Sequence, residues 1–378
     1  MVELGTLITQ AKTVRCGESN YPVLSMTMHD GLVLQDDRFK KVIASKDKSD
    51  YKVVYRDQLV ISFPIDEGVL ATQRITDAGI VSPAYGIWDV DQEKVVPEFL
   101  EYALRCERSI AYYKAKLRGS TARRRSLPTP TLLAHTVPLP SIEEQKYVLD
   151  LIHKVETIIH LRKDELKELD ALTKARFVEM FGNLKINSQG WKIKTFDELS
   201  YLITDGEHAT PRRTTEGIFL LSARNILNHS LQLDDVDYID QEEYDRIAKR
   251  VVPQEGDVLI SCSGTVGRCC SVPTDIRFQM VRSAALIRFK EEINPVFAEY
   301  MIASDYLQEQ INSSKTASSQ ANLFQGKIKA LKGFVPPMEL QKQFAVFAAQ
   351  VDKSKAAVQK SLDETQVLFD SLMQKYFG

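Results

Sequence analysis

The chain has 378 residues, 44% of them hydrophobic and 26% charged, with a formal net charge of −2; this is the composition of a globular protein long enough for two cored domains. No apolar run reaches the roughly 18 residues of a membrane span, and Met1–Gln10 has no signal-peptide profile, so a soluble cytoplasmic chain is expected. The five cysteines (Cys16, Cys106, Cys262, Cys269, Cys270) form no Cys-x-x-Cys pair, which argues for reduced thiols and against structural zinc.

In chain order, "VVYRDQLVISF" (53–63) is the first apolar run of strand length. "VPEFLEYALRCERSIAYYKAKL" (96–117) carries Phe99, Leu100, Ala103, Leu104, Ile110 and Tyr113 at helical spacing. Residues 105–125 then hold eight Lys/Arg and one acid, ending in "GSTARRRSL" (119–127). At Ser141-x-x-Glu144 a capping box opens a helix, with Pro140 just outside and Gly182 placed to stop it. About 40 residues at 1.5 Å each make a rod of roughly 60 Å. "GIFLLSA" (217–223) is a further strand, and "LDDVDYIDQEEYD" (233–245) holds seven acids. Strands and helices mixed in this way indicate an α+β (mixed α/β) chain. If one face binds phosphates, the acidic stretch is expected to point away from it.

The chain repeats itself. Aligning Gln145 with Gln341 sets an offset of 196 that holds without a gap to Gly182 and Gly378, with ten identities over 43 positions from Pro140. Upstream, "PEFLEYAL" (97–104) matches "PVFAEYMI" (295–302), "ELGTLI" (3–8) matches "ELSYLI" (198–203), and "DQLVIS" (57–62) echoes "DVLIS" (257–261). The expected organisation is a first globular domain (1–137), a helical region (138–182), a linker (183–190), a second globular domain (191–334) and a second helical region (335–378). Val148, Ile152, Val155, Ile159, Leu166 and Leu169 form a seam in the first helix, interrupted at Arg162. Phe344, Ala348, Val351, Val358 and Leu362 form it in the second, interrupted at Lys355 and Thr365. A 3.5-residue repeat of this length supports a coiled coil, parallel or antiparallel, over two amphipathic helices lying each on its own domain. Leu149, Leu151, Ile158 and Leu161 lie outside the seam, so a further helix from a partner is expected beside it.

Catalytic motifs are missing from the sequence. There is no Asn/Asp-Pro-Pro-aromatic motif, no Gly-rich methyl-donor loop and no Gly-x4-Gly-Lys phosphate loop. "SGTVGR" (263–268) reads as a tight turn between strands, Glu165-x-Lys167 as a solvated helix face, and His208 as a loop hydrogen-bonder.

"PLPSIEEQ" and "VPPMELQKQF", together with "LITDGEHATPRRTTEGIFLLSARNI" (202–226), "GDVLISCSGTVGR" (256–268) and "GSTARRRSL", resemble the specificity subunit of Type I restriction–modification systems over nearly the whole length. The resemblance implies two target-recognition domains separated by two long helices that form an antiparallel coiled coil with pseudo-twofold symmetry. It implies duplex DNA as ligand, two methyltransferase subunits as partners and a restriction subunit recruited to them. Adenine methylation and its S-adenosylmethionine cofactor would belong to the methyltransferase, leaving this chain without catalysis or cofactor. The first copy lacks a "DGEHATP" equivalent, so its loop contacts do not transfer. A scaffold joining two protein-binding heads, without a DNA role, is the competing reading.

Base and phosphate contacts call for amide, hydroxyl and guanidinium side chains on loops. In the second head the candidates are His208, Thr210, Arg212, Arg213, Arg224, Asn225, Ser263, Thr265, Arg268 and Arg282, with Ser318, Gln320 and Asn322 in the polar loop 313–323. In the first head they are Ser120, Thr121, Arg123, Arg124 and Arg125.

Overall fold

The computed structural model describes residues 1–28, 30–38, 47–117, 125–314 and 322–378. The chain divides into two compact units, Met1–Lys163 with Lys360–Gly378, and Asp164–Gln359. Both divisions cut a long helix, so each unit contains the start of one and the end of the other.

In the first unit Ile8–Gln10, Gly86–Val90, Leu59–Ile61 and Leu70–Thr72 form an antiparallel sheet in that order, with Leu59 opposite Trp88. The apolar run at 53–63 is two strands rather than one. Asp57 takes a left-handed φ of 69°, and the turn it makes sends Lys52–Tyr55 to pair with Ala78–Val81 instead. The helical stretch 96–117 is likewise two helices, Pro97–Arg105 and Glu107–Lys116, broken where Cys106 is extended (ψ 161°). The first of these buries Phe99, Leu100, Ala103 and Leu104 in a core with Leu4, Leu59, Tyr113, Val148 and Ile152.

The second unit repeats the plan. Ser200–Asp205, Ala284–Phe289, Val258–Ser261 and Cys269–Ser271 form the same sheet order, and the helices Pro295–Ala303 and Asp305–Ser314 break at an extended Ser304. A buried glutamate braces helix to sheet in both units. Glu101 accepts the Thr72 N–H at 2.8 Å, and Glu299 accepts that of Ser271. The pairing corrects one alignment. Glu3 stands opposite Thr136 as Thr195 stands opposite Lys332, so the N-terminal segments correspond at an offset of 192, three residues from the match of "ELGTLI" with "ELSYLI". The second unit also has a three-stranded sheet, with Ile218–Leu221 between Asp237–Ile239 and Phe278–Met280.

The long helices are Ile142–Phe181 and Met338–Phe377, each of 40 residues. Ser141 Oγ accepts the Glu144 N–H at 3.2 Å at the start of the first. Val148, Ile152, Val155, Ile159, Phe344, Ala348, Val351 and Val358 are buried along the seam, and Leu166, Leu169 and Leu362 are half-buried. Within the second unit the two helices run antiparallel. Phe344 packs on Phe177 and Phe181 (ring centroids 5.2 and 5.7 Å), while Lys355, further along, meets Asp170, further back, at 2.6 Å. The seam interruption at Lys355 is therefore answered by a carboxylate, not by the apolar residue at the duplicate position. Within the first unit Phe377 joins the core of Val148 and Ile152, which is the same sense. Among the described residues no helix is long and apolar enough to cross a membrane.

Candidate nucleic-acid interface

The second unit gathers four distant segments around one cleft. The strand Ser200–Asp205 ends in Gly206, where a Cβ would lie 2.3 Å from Met280 O, so only glycine lets the two backbones approach this closely. Glu207 N then donates to Met280 O (2.8 Å) and Arg282 N to Glu207 O (3.0 Å). Cys262 N donates to Ser283 O (2.7 Å), Leu323 N to Cys262 O (2.9 Å), and Ser263 bridges Asn322. These bonds hold His208, Ser263, Arg282, Ser283 and Asn322 around a cleft of about 380 Å³. His208 Nε2 lies 2.8 Å from Asp205 Oδ2, and Arg250 also bonds that carboxylate. Arg282 is exposed and has no carboxylate partner among the described residues. Hydroxyl, amide, imidazole and free guanidinium groups on a fixed backbone form a set that can bind phosphate and base edges.

The remaining candidates in this unit divide three ways. Thr210 and Thr265 are exposed; Thr265 sits in a turn with Gly264 at φ 69° and Gly267 at φ 94°, the tight turn expected of "SGTVGR". Arg268 is half-buried without a carboxylate partner among the described residues. Three arginines meet the acidic stretch: Arg212 pairs with Asp240 (2.9 Å) and Glu242 (2.8 Å), Arg213 with Asp237 (3.0 Å), and Arg224 with Asp237 (3.2 Å) and Asp235 (3.5 Å). The acids neutralise these guanidiniums on an exposed surface, where solvent screening leaves such pairs little stabilising effect. Asn225 is withdrawn from the interface altogether. It is fully buried, accepts the Ser222 N–H (2.9 Å), and donates to Gln232 O (3.0 Å) and Asp235 O (2.9 Å).

In the first unit Arg125 pairs with Asp66 (2.7 Å) and with Glu67, so it ties the basic run to the 3-10 turn at Ile65–Glu67 instead of presenting a free cation. Ser120, Thr121, Arg123, Arg124, Ser318 and Gln320 lie outside the described residues. In the same unit Tyr112, Lys116, Ser126, Pro128 and Thr131 line a cleft of about 620 Å³. Phe324 and Gln325 are among the residues of the second-unit cleft that sequence reasoning passed over. No periodicity marks them, since they are the N-cap and the first residue of a helix of only five residues, Gln325–Lys329.

Residues 220–365 match the family model described as the Type I restriction modification DNA specificity domain. Solved structures share the fold over the whole length. A chain of the type I R-M system, from work on its complex assembly and conformational transition, is 17% identical, covers all of this chain and 96% of its own, and superposes with a TM-score of 0.60. The S subunit of the Type-I restriction-modification system of M. genitalium is 14% identical, covers all of this chain and 95% of its own, with a TM-score of 0.56.

Proposed function

We infer that this chain, which belongs to the Type I restriction–modification specificity subunits, reads a bipartite DNA target with one head in each unit and leaves the chemistry to its partners. One observation carries the reading. The cleft draws together Ser263, Arg282 and Asn322 from distant segments, and all three lie within residues 220–365, the stretch that matches the DNA specificity domain. Residues 1–137 and 191–334 would be the two target-recognition domains, 183–190 their linker, and 138–182 and 335–378 the helices that space them. His208, Thr210, Ser263, Thr265, Arg268, Arg282 and Asn322 would contact DNA directly. Arg212, Arg213 and Arg224 would reach phosphate by exchanging their surface carboxylates for it.

Partner docking falls to the long helices. Tyr147, Ile158, Leu161 and Leu172 are exposed on the first of them, at spacings that place them along one face. Leu149 is not part of that surplus, since it is buried in the first unit's core. Two methyltransferase subunits would cover such a face, bring S-adenosylmethionine and methylate adenine; a restriction subunit would join them. The chain itself would then work in the cytoplasm, without an active site. The test is duplex binding measured across salt concentrations, with and without a methyltransferase subunit as partner. Binding that weakens linearly in log affinity against log salt is expected, and its absence in both arms would sink the reading. Mapping methylated adenines in a genome carrying the intact system then reports both half-sites and the gap.

A further inference from the structure

Phe324 stands at the rim of the second-unit cleft and is 59% exposed, whereas the residue before it, Leu323, is 2% exposed. Its backbone is not free to turn the ring inward. Leu323 N donates to Cys262 O (2.9 Å), Phe324 O accepts Lys327 N (2.8 Å) and Ile328 N (3.1 Å), and the Gln325 side chain bonds Ile203 O. A large apolar ring is thus held in water by a fixed frame, next to Arg282, His208 and Ser263. A protein partner is recognised by a contiguous apolar patch, and the neighbours of this ring are polar. An apolar ring flanked by a guanidinium and hydroxyls suits a ligand with flat π-faces and anionic edges, which is a nucleic acid.

We propose that Phe324 is a wedge that enters one base step of the half-site read by the second unit, unstacking it while Arg282 binds the adjoining phosphate. The proposal rests on the DNA-specificity reading and adds to it a means of sensing sequence through the ease of unstacking rather than through hydrogen bonds. It also separates the two heads. The helices Thr129–Leu133 and Gln325–Lys329 correspond at the 196-residue offset, which places Pro128, exposed and without an aromatic ring, where the second unit has Phe324. The wedge therefore belongs to one half-site only.

The experiment uses the full chain, on its methyltransferase partner where duplex binding requires one, and a selected target with 2-aminopurine scanned through both half-sites. With the native chain, fluorescence rises severalfold at one step of one half-site. Phe324→Ala abolishes that rise and weakens specific binding about tenfold with the salt slope unchanged, while Phe324→Leu, which keeps a bulky apolar side chain, preserves the rise. Arg282→Ala lowers the salt slope by about one. An unchanged fluorescence profile for Phe324→Ala, in a chain that binds and melts as the native one does, overturns the wedge and leaves the DNA reading standing. Absence of salt-dependent duplex binding by the native complex overturns both.

Discussion

Gln145 and Gln341 hold equivalent places in the two copies, and their side chains show why the Glu-x-Gln-Lys motif recurs. Each is fully buried. Gln145 accepts the Val96 N–H (2.8 Å) and donates to Lys94 O (3.1 Å) and Pro140 O (2.9 Å). Gln341 accepts the Asn294 N–H (2.8 Å) and donates to Glu292 O (3.0 Å) and Pro336 O (2.8 Å). The motif fastens the long helix to the head that precedes it. Gln341→Ala strands the backbone groups it satisfies, so chemical denaturation should show a loss of roughly 1–3 kcal/mol; a loss within error would mean water replaces the amide. His135 distinguishes the copies, because Leu331 takes its place at the same offset. Burial, with a contribution from the Arg108 guanidinium, pushes the imidazole down to about 4 from its ordinary 6.5. It lies 2.8 Å from Ser109 Oγ and stacks on Tyr112. The folded chain keeps His135 neutral where the unfolded chain is protonated. Its contribution is therefore complete above pH 6.5 and lost as pH falls toward 4, by at most about 1.4 kcal/mol per pH unit. Melting curves between pH 7 and 4 should be flatter for His135→Leu than for the native chain.

At the scale of elements, a 3-4 spacing of apolar residues needs a partner helix, and the buried seam supplies one. Lys355 is the exception within the second unit. It is buried along most of its side chain, while its partner Asp170 stays largely in water. Lys355→Leu should continue the seam without stranding a buried charge and raise stability by roughly 1 kcal/mol, measured by urea denaturation; a fall would show that the ion pair sets the register. The first helix stops because Gly182 adopts φ 77° and its N–H reaches Val178 O at 2.8 Å. Gly182→Ala should cost about 1 kcal/mol for that conformation. Phe181 and Phe377, one residue before each stop, explain why both copies end alike. Phe181 packs on Phe297 at 4.7 Å and Phe377 on Phe99 at 4.9 Å, and Phe99 and Phe297 are duplicate positions on the helices Pro97–Arg105 and Pro295–Ala303. Each long helix starts on one head and ends on the other.

For the whole molecule, each long helix runs from one unit into the other, which gives the helices a length-dependent role under the proposed function. A heptad inserted at matching points of both helices adds about 10 Å and preserves the seam. The unread gap of the methylated target should then widen by about 3 bp, given 3.4 Å per base pair, with both half-sites unchanged. Methylome mapping reads this directly, and an unaltered gap would remove the helices from any part in spacing.

The duplication, the two 40-residue helices and their seam were legible because helical periodicity is local and the offset of 196 residues runs unbroken through them. The strands were less so. Nothing local distinguishes one apolar run from two until Asp57 turns the backbone, and the apolar spacing runs unbroken across Cys106, where the helix breaks and the thiol turns to the Ala103 carbonyl at 3.2 Å. Chemistry at the interface was legible only as residue type. Asn225 and Arg268 look alike as candidates in a sequence, yet folding buries one with all its hydrogen bonds made and leaves the other without a carboxylate among the described residues. Whether an arginine meets an acid, as Arg212 does, or has no carboxylate partner among the described residues, as with Arg282, is set by which segments the sheets bring together. Periodicity within one helix is a property of the chain, whereas the partners of a loop side chain are a property of the fold.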